Sequence, residues 1–183
     1  MSNVQQIACS FDLETFGGLN SAWGRVMCGV LKPWGEEDQV FVISKPSDND
    51  SVIVEAIMVE LRKYPILIAH NGLYFDVPFL NGRAAEYNLP PINPFHKLID
   101  PCQIARKRLN LGRNSLDSIV AHMGLEEQKM HLPPSVWVRA ALDRDPDALD
   151  TLVERCRSDV RILEKITDRL MPLTRNITSF GSA

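Results

Sequence analysis

The sequence of 183 residues lacks the cysteine patterns of zinc sites and disulfide frameworks, and it lacks long apolar segments. None of its cysteines belongs to a Cys-x-x-Cys pair, and they stand apart at Cys9, Cys28, Cys102 and Cys156. No apolar run is long enough to cross a bilayer, and the start of the chain has neither the basic nor the apolar region of a signal peptide. We therefore expect a cytoplasmic or otherwise intracellular protein with reduced thiols and no membrane association.

An excess of positive charge is also missing. The net charge of −3 and the pI near 5.8 argue against nucleic-acid binding through a generally basic surface. Positive charge is concentrated in one stretch, whose only acidic residue is Asp100. Its basic residues are Lys97, Arg106, Lys107, Arg108 and Arg113. This cluster is compatible with a track for a nucleic-acid backbone and equally with a solvated helix face.

Hydrophobic residues make up 45% of the chain and charged residues 23%, as in ordinary globular proteins. We expect a single domain over residues 1–172 and a flexible tail over 173–183. Short apolar runs predict strands over 7–13, 23–31, 40–43 and 66–69. Helical spacing and start signals predict helices over 50–62, 75–87, 135–142 and 148–170, with short helices beginning at Asp100-Pro101 and Asn114-Ser115. Because the chain is mainly helical from Leu98 onwards, this order predicts an α/β domain with a mixed sheet.

Two acidic residues, Asp12 and Glu14, stand two positions apart on the first predicted strand. Alternation along a strand places both carboxylates on one face. Such crowding raises the pKa of each carboxyl unless a cation neutralises the pair, so the two residues are candidate metal ligands. The alternative is a solvated face at the edge of a sheet.

Two further acids follow in separate segments. Asp76 lies where a buried strand and the Asn71-Gly72 turn lead into a helix, and a negative charge in the first helical turn is favoured by the helix dipole alone. Asp159 lies inside the last long helix, where an ion pair with Arg155, four residues earlier, is the simpler interpretation.

Taken in order, Phe-Asp-Leu-Glu-Thr at 11–15, His-Asn-Gly-Leu-Tyr-Phe-Asp at 70–76 and Arg-Cys-Arg-Ser-Asp-Val at 155–160 resemble the three exonuclease motifs of the DEDD superfamily. These are the DnaQ-like 3′–5′ exonucleases. The similarity runs from about residue 7 to 170 and is greatest to the exonuclease domains of family B polymerases and their free-standing relatives. It implies a ribonuclease H-like fold, that is, a mixed sheet flanked by helices.

The resemblance also implies a two-metal mechanism of phosphodiester hydrolysis at the 3′ end of a nucleic acid. Asp12 would bridge two Mg²⁺ or Mn²⁺ ions, Glu14 and Asp159 would complete the site that activates the attacking water, and Asp76 would hold the second ion. Oxygen ligands without His or Cys favour these ions over zinc. Single-stranded DNA is the favoured substrate and RNA the alternative. A rival interpretation is a catalytically weak or inactive module that retains the fold and binds nucleic acid.

One position departs from the family pattern. Arg155 stands where these enzymes carry a Tyr, or near which they carry a His, to orient or deprotonate the attacking water. A guanidinium stays protonated, so Arg155 can donate hydrogen bonds or offset charge but cannot act as a general base. Glu154, His131 and His70 are alternative candidates for that role.

Four residues near the acidic motifs are candidates for substrate binding. They are Phe16, Asn71, Leu73 and Tyr74. Aromatic and apolar side chains can stack on, or wedge between, unpaired bases. Core packing is an equally good explanation for Phe16 and Tyr74. Trp137 is expected to anchor the later helices to the core.

Overall fold

A computed structural model describes residues 8–44, 49–92 and 96–174, together with the backbone of 178–179. Position 7, where the first strand is predicted to begin, lies outside these residues. So does most of the tail predicted over 173–183.

Six strands form one mixed sheet in the order β3-β2-β1-β4-β5-β6. β1 pairs antiparallel with β2 and parallel with β4, so it is central in the sheet. β3 continues the sheet antiparallel to β2, β5 lies parallel to β4, and β6 runs antiparallel to β5. The strand bounds are Ala8–Phe16, Arg25–Pro33, Gln39–Val42, Ile66–Ile68, Lys97–Ile99 and Thr178–Ser179 for β1 to β6.

Six α-helices flank the sheet, which confirms the predicted α/β architecture. Their bounds are Ser51–Leu61, Asp76–Glu86, Pro101–Arg108, Leu116–Met123, Ser135–Val138 and Pro146–Leu170 for α1 to α6. α5 continues as a π-helical turn over Arg139–Asp143, and a short 3₁₀ turn over Met171–Leu173 follows α6. Within the residues that the structure describes, no helix is both long and apolar enough to cross a membrane.

Local capping explains where three helices begin. The side chain of Asp100 accepts hydrogen bonds from the backbone of Cys102 and Gln103 at the start of α3. Ser115 caps α4 and Asp145 caps α6 in the same manner. These residues satisfy the amide groups that lack partners in a first helical turn, and the predicted starts of α3 and α4 are thereby confirmed.

α1 and α6 cover the sheet around β1 and β2. On β2, a Cβ atom at Gly29 would lie 2.8 Å from the Ile57 side chain of α1 and 3.0 Å from that of Leu13, so the missing side chain lets α1 approach. α6 contacts both β1 and β2, and Cys156 donates a hydrogen bond from Sγ to the Asp12 carbonyl (3.1 Å). The buried apolar side chains of both contacts belong to the main core.

The structure departs from the prediction after residue 96. Lys97–Ile99 form β5, whereas a mainly helical chain was predicted from Leu98, and that prediction is wrong for these residues. Three residues directly before the Asp100-Pro101 helix start give too short a local signal, and the strand exists because it pairs with β4. Within the predicted tail, Thr178–Ser179 pair with β5.

A buried ion pair joins α1, α2 and β2. The Asp50 side chain is fully buried, and its Oδ1 lies 2.6 Å from Arg83 Nη2. Tyr87 donates its hydroxyl to the same oxygen, and the Val26 amide donates to Oδ2 (2.7 Å). Burial opposes ionisation of Asp50, but the hydrogen bonds from Arg83 and Tyr87 outweigh it and lower the pKa of the carboxyl below its usual value. Asp50 is therefore charged in the folded protein.

The first prediction concerns this pair. Asp50→Ala removes the fully buried counter-charge of the Arg83 guanidinium and leaves it only the half-exposed Glu86, so it should lower the free energy of unfolding by about 3–5 kcal/mol, measured by urea denaturation. The control is Glu127→Ala, which removes the partner of Lys165 on the surface and should cost at most about 1 kcal/mol. Equal losses in the two variants would contradict a structural role for the Asp50 pair.

Candidate active site

Asp12 and Glu14 project from the central strand β1, where they pair in register with Val30 and Cys28 of β2. The register shifts between Glu14 and Thr15, at a bulge just after the acidic pair. Glu14 is 3% exposed, and Asp12 is partly accessible. The strand thus presents two carboxylates at its carboxyl-terminal half, in line with the predicted alternation.

Asp76 begins α2 after a tight connection from β4. Asn71 has a φ of 60° in that connection, and its amide donates to Asp100 Oδ1 (2.9 Å). A Cβ atom on Gly72 would lie 2.4 Å from that of Ala69, so the turn requires glycine. Asp76 is 3% exposed. The turn fixes where the chain leaves the sheet and so places this third carboxylate.

Asp159 comes from α6, on the helix that Cys156 attaches to the Asp12 carbonyl. Cys156 and Asp159 are three positions apart and therefore share a helix face. Asp159 is 2% exposed. The hydrogen bond to β1 thus brings the last acid beside the first.

The raised pKa values of two of these acids indicate that the carboxylates lie close together. Burial, followed by the charge of Asp159, raises the pKa of Asp12 to about 7. Burial also raises the pKa of Asp76 well above its usual value, with further contributions from Asp12 and Asp100. In the described part of the chain, Asp12 Oδ2 and Asp159 Oδ1 are buried without a hydrogen-bond partner. Such orphaned oxygens are costly unless a cation takes them up.

Lys129, in the connection between α4 and α5, reaches this cluster. Its Nζ lies 3.0 Å from Asp159 Oδ2. Burial alone would lower the pKa of Lys129, but the negative charges of Asp159 and Asp12 outweigh it and raise the pKa. Lys129 belongs to no periodic pattern and to none of the three motifs considered above. Sequence analysis therefore missed it, and only its position in the fold identifies it.

Arg155 forms the second cationic contact. Its Nη1 pairs with Glu14 Oε1, whereas its Nη2 lies 3.9 Å from Asp159 Oδ2, so the anticipated pair with Asp159 is the weaker of the two. Its Nε donates to the Met130 carbonyl (3.2 Å), and the guanidinium lies 5.3 Å from the ring centre of Trp137. The Arg155 side chain thus contacts the carboxylates on one side, and Met130 and Trp137 hold it on the other.

Trp137 has a role beyond the expected packing. The ring packs against the main core, and its Nε1 also donates to Glu14 Oε2 (3.0 Å). The expectation that Trp137 contacts the core is confirmed, but its contact with Glu14 was not anticipated. Glu14 Oε2 therefore has a hydrogen-bond donor in Trp137, and Oε1 has an ion-pair partner in Arg155.

The donor set fits a hard divalent cation in its chemistry, because it consists of carboxylate oxygens, and two of them, Asp12 Oδ2 and Asp159 Oδ1, have neither a hydrogen bond nor an ion pair in the described part of the chain. In the conformation described, however, no three Asp, Glu, His or Cys side chains among the described residues are arranged to hold a metal ion. Oxygens of Glu14 and Asp159 face Arg155 and Lys129 instead. Metal binding at these two residues therefore requires exchange of those ion pairs.

The three alternative base candidates differ in position. Glu154 pairs with Arg157 (2.6 Å), and His131 is 77% exposed near Asp117 (3.4 Å), so both are engaged outside the carboxylate cluster. Burial, followed by the positive charge of Lys129, lowers the pKa of His70 to about 4. His70 is therefore a neutral imidazole at pH 7, close enough to Lys129 to sense its charge.

The four candidate substrate-binding residues are not equivalent. Tyr74 is 64% exposed, directly before the segment that carries Asp76. Phe16 and Leu73 are partly buried against the core, and Arg25 lies 5.7 Å from the Phe16 ring centre. Asn71 acts through its backbone in the turn described above. Of the four, Tyr74 has the most surface available to a ligand.

The basic residues of the stretch 97–113 are all exposed, on or beside β5 and α3. Asp100 caps α3 and also accepts a hydrogen bond from the Asn71 amide of the turn before Asp76. The basic surface is therefore attached, through one carboxylate, to the loop that positions the third acid.

Comparison with known proteins agrees with this geometry. A model of the RNase H superfamily matches residues 9–171, which span all three acidic motifs. The chain belongs to the ribonuclease H superfamily. Among curated proteins, no sequence matches it significantly.

A solved relative has the same fold. The family B DNA polymerase from the hyperthermophilic archaeon Pyrobaculum calidifontis superimposes with a TM-score of 0.74 and 18% identity over 90% of this chain. The present chain spans 24% of the length of that polymerase. At this identity the likeness shows the fold alone, and it agrees with the anticipated similarity to family B polymerases.

The second prediction follows from the charge state of Asp12. In chelator, Asp12→Asn should be more stable than the wild type at pH 8, because it removes a buried carboxylate that is costly to ionise. The gain should be clearly smaller at pH 5, because between pH 7 and pH 4 Asp12 is protonated in the folded protein whereas the unfolded carboxyl, with a pKa near 4, is ionised, and it should vanish only near pH 4. Each pKa unit corresponds to about 1.4 kcal/mol, so the gain at pH 8 should be on the order of a few kcal/mol.

Urea denaturation at both pH values measures this difference, and protonation of His70 affects both proteins alike. Asp150→Asn, an exposed acid of the same helix as Asp159, is the control and should show no such pH dependence. A gain from Asp12→Asn that is constant with pH would refute the raised pKa.

Proposed function

We propose that this ribonuclease H superfamily protein is a metal-dependent 3′–5′ exonuclease that hydrolyses terminal phosphodiester bonds of nucleic acid, with single-stranded DNA favoured over RNA. The observation that carries the proposal is the cluster formed by Asp12, Glu14, Asp76 and Asp159, in which the last three side chains are at most 3% exposed and Asp12 Oδ2 and Asp159 Oδ1 are buried without a hydrogen-bond partner. Such a cluster is costly for folding, and its residues have the chemistry of ligands for Mg²⁺ or Mn²⁺.

Each acid has a position suited to its proposed role. Asp12 interacts electrostatically with both Asp76 and Asp159, so it would be a ligand of both cations. Glu14 and Asp159 would hold one ion with it, and Asp76 the other. When bound, such ions lower the pKa of an attacking water and stabilise the leaving 3′ oxygen.

The remaining residues would act on the substrate directly. The Lys129 ammonium has three hydrogen-bond donors. It would donate to a phosphate oxygen of the substrate once its partner Asp159 binds a cation. The exposed ring of Tyr74 would stack on an unpaired terminal base. The basic surface of α3 would follow the backbone of the strand upstream of its 3′ end, because Asp100, which caps α3, contacts the turn before Asp76.

The second candidate is a nucleic-acid-binding module with little or no cleavage. It is favoured by the contacts of Arg155, which neutralises Glu14 and cannot take a proton from water. The clustering of four carboxylates, three of them on buried residues, argues against it, because a module that only binds a polyanion has no need of them. A cleavage assay with DNA and RNA substrates distinguishes the candidates.

The third prediction tests the acids. Cleavage of a labelled strand should require Mg²⁺ or Mn²⁺ and stop in chelator. Asp12→Ala or Asp159→Ala should lower turnover by about 100-fold or more, the scale of losing one preorganised electrostatic group. The matched control is Asp150→Ala, an exposed acid on the helix of Asp159, which should cleave like the wild type. Near-normal turnover by folded Asp12→Ala protein would show that the site is wrongly assigned.

The fourth prediction concerns direction and strandedness. A single strand labelled at its 5′ end should give a descending ladder with release of mononucleotides, and a blunt duplex should be cleaved more slowly because exposed Tyr74 suits unpaired bases. An RNA strand of the same sequence serves as the comparison for substrate class. Immediate release of a labelled mononucleotide would instead establish attack from the 5′ end.

A further inference from the structure

The four carboxylates fall into two pairs according to the cations that the protein itself supplies. The ion pairs of the described residues include Glu14 with Arg155 and Asp159 with Lys129, but they include neither Asp12 nor Asp76. Asp12 Oδ2 is buried without a partner in that part of the chain, and Asp76 is buried beside Asp12. One pair is therefore neutralised internally, and the other is not.

Arg155 is fixed at its place by contacts on several sides. Its side chain is 17% exposed, so its ion pair with Glu14 lies in surroundings that screen charge less than water does. The Met130 carbonyl and the face of Trp137 hold the guanidinium from outside the cluster. Trp137 also binds the second oxygen of Glu14, which keeps that carboxylate turned towards Arg155.

A divalent cation at Glu14 and Asp159 has to displace these contacts. Arg155 Nη1 pairs with Glu14 Oε1, and Nη2 lies 3.9 Å from Asp159 Oδ2, so one guanidinium faces both carboxylates. Because two cations on the same oxygens repel each other, the metal and Arg155 compete. In the described part of the chain no side chain forms an ion pair with Asp12 or Asp76, and the positive charges that reach them, Lys129 and Arg155, act from a greater distance.

We propose that Arg155 is a resident competitor for the ion of Glu14 and Asp159, so that the protein binds its two divalent cations with unequal affinity and fills Asp12 and Asp76 first. This inference rests on the metal-binding part of the proposed function. It assigns to Arg155 a positioning role in place of the water-directing residue that the exonuclease family carries there.

The experiment measures Mn²⁺ binding to the whole chain without nucleic acid, by calorimetric titration and by the electron paramagnetic resonance signal of free Mn²⁺. The wild type should bind one ion tightly and a second at least about tenfold more weakly. Arg155→Met should raise the affinity for the second ion about tenfold or more, within the range typical of linked binding events, and change the affinity for the first ion much less, because Arg155 forms no ion pair with Asp12 or Asp76 in the described part of the chain. Asp12→Asn should abolish the tight site.

Two variants keep the test sound. Arg155→Gln retains a hydrogen-bonding group and replaces Arg155→Met if that protein fails to fold. Arg157→Met removes an equal charge two residues along the same helix, where Arg157 pairs with Asp38 (3.2 Å) and Glu154 outside the cluster. It should change neither affinity.

Each result discriminates. Two ions of equal affinity in the wild type, or a second affinity that Arg155→Met leaves unchanged, would overturn the role of Arg155. Absence of Mn²⁺ binding in both proteins would overturn it together with metal dependence. Unequal binding that Arg155→Met relieves, in a protein that cleaves no strand, would refute the exonuclease and leave this inference standing.

Discussion

Repulsion between buried carboxylates is the constraint on which the rest of this structure depends. Burial opposes ionisation of Asp12 and Asp76, and the charge of Asp159 on Asp12 and of Asp12 on Asp76 adds to the cost. A protein keeps such a cluster only if other interactions offset its free energy. Here the offset comes from the core around β1 and from cationic side chains, and a bound cation would supply the remainder.

The sheet explains how acids so far apart in sequence meet. β1 is bordered by an antiparallel and a parallel neighbour, so its carboxyl end is close to the connection that leaves β4 towards Asp76. α6 then lies against β1 and adds Asp159. The same arrangement brings Lys129, from the connection between α4 and α5, to Asp159 and Trp137, from α5, to Glu14. The fold therefore determines the positions both of the acids and of the cationic side chains that partly neutralise them.

Much of this was predictable because it rests on local signals. Capping residues such as Asp100 and Ser115 predicted helix starts, and the spacing of Asp12 and Glu14 predicted a shared strand face. β5 was missed because three residues carry too little local pattern, and pairing with β4 decides their conformation. Lys129 lies in an irregular connection where neither period nor cap indicates a position. The contact of Trp137 with Glu14 joins residues 123 positions apart, which no local rule anticipates.

The thiol of Cys156 offers an independent view of how closed this site is. Its Sγ is buried against the Asp12 carbonyl, and burial raises its pKa well above that of a free thiol, so in the closed molecule it is a poor nucleophile. An alkylating reagent reaches it only when α6 separates from β1. The rate of its modification therefore reports how often the two elements that carry Asp12 and Asp159 come apart, a local opening distinct from unfolding of the whole chain.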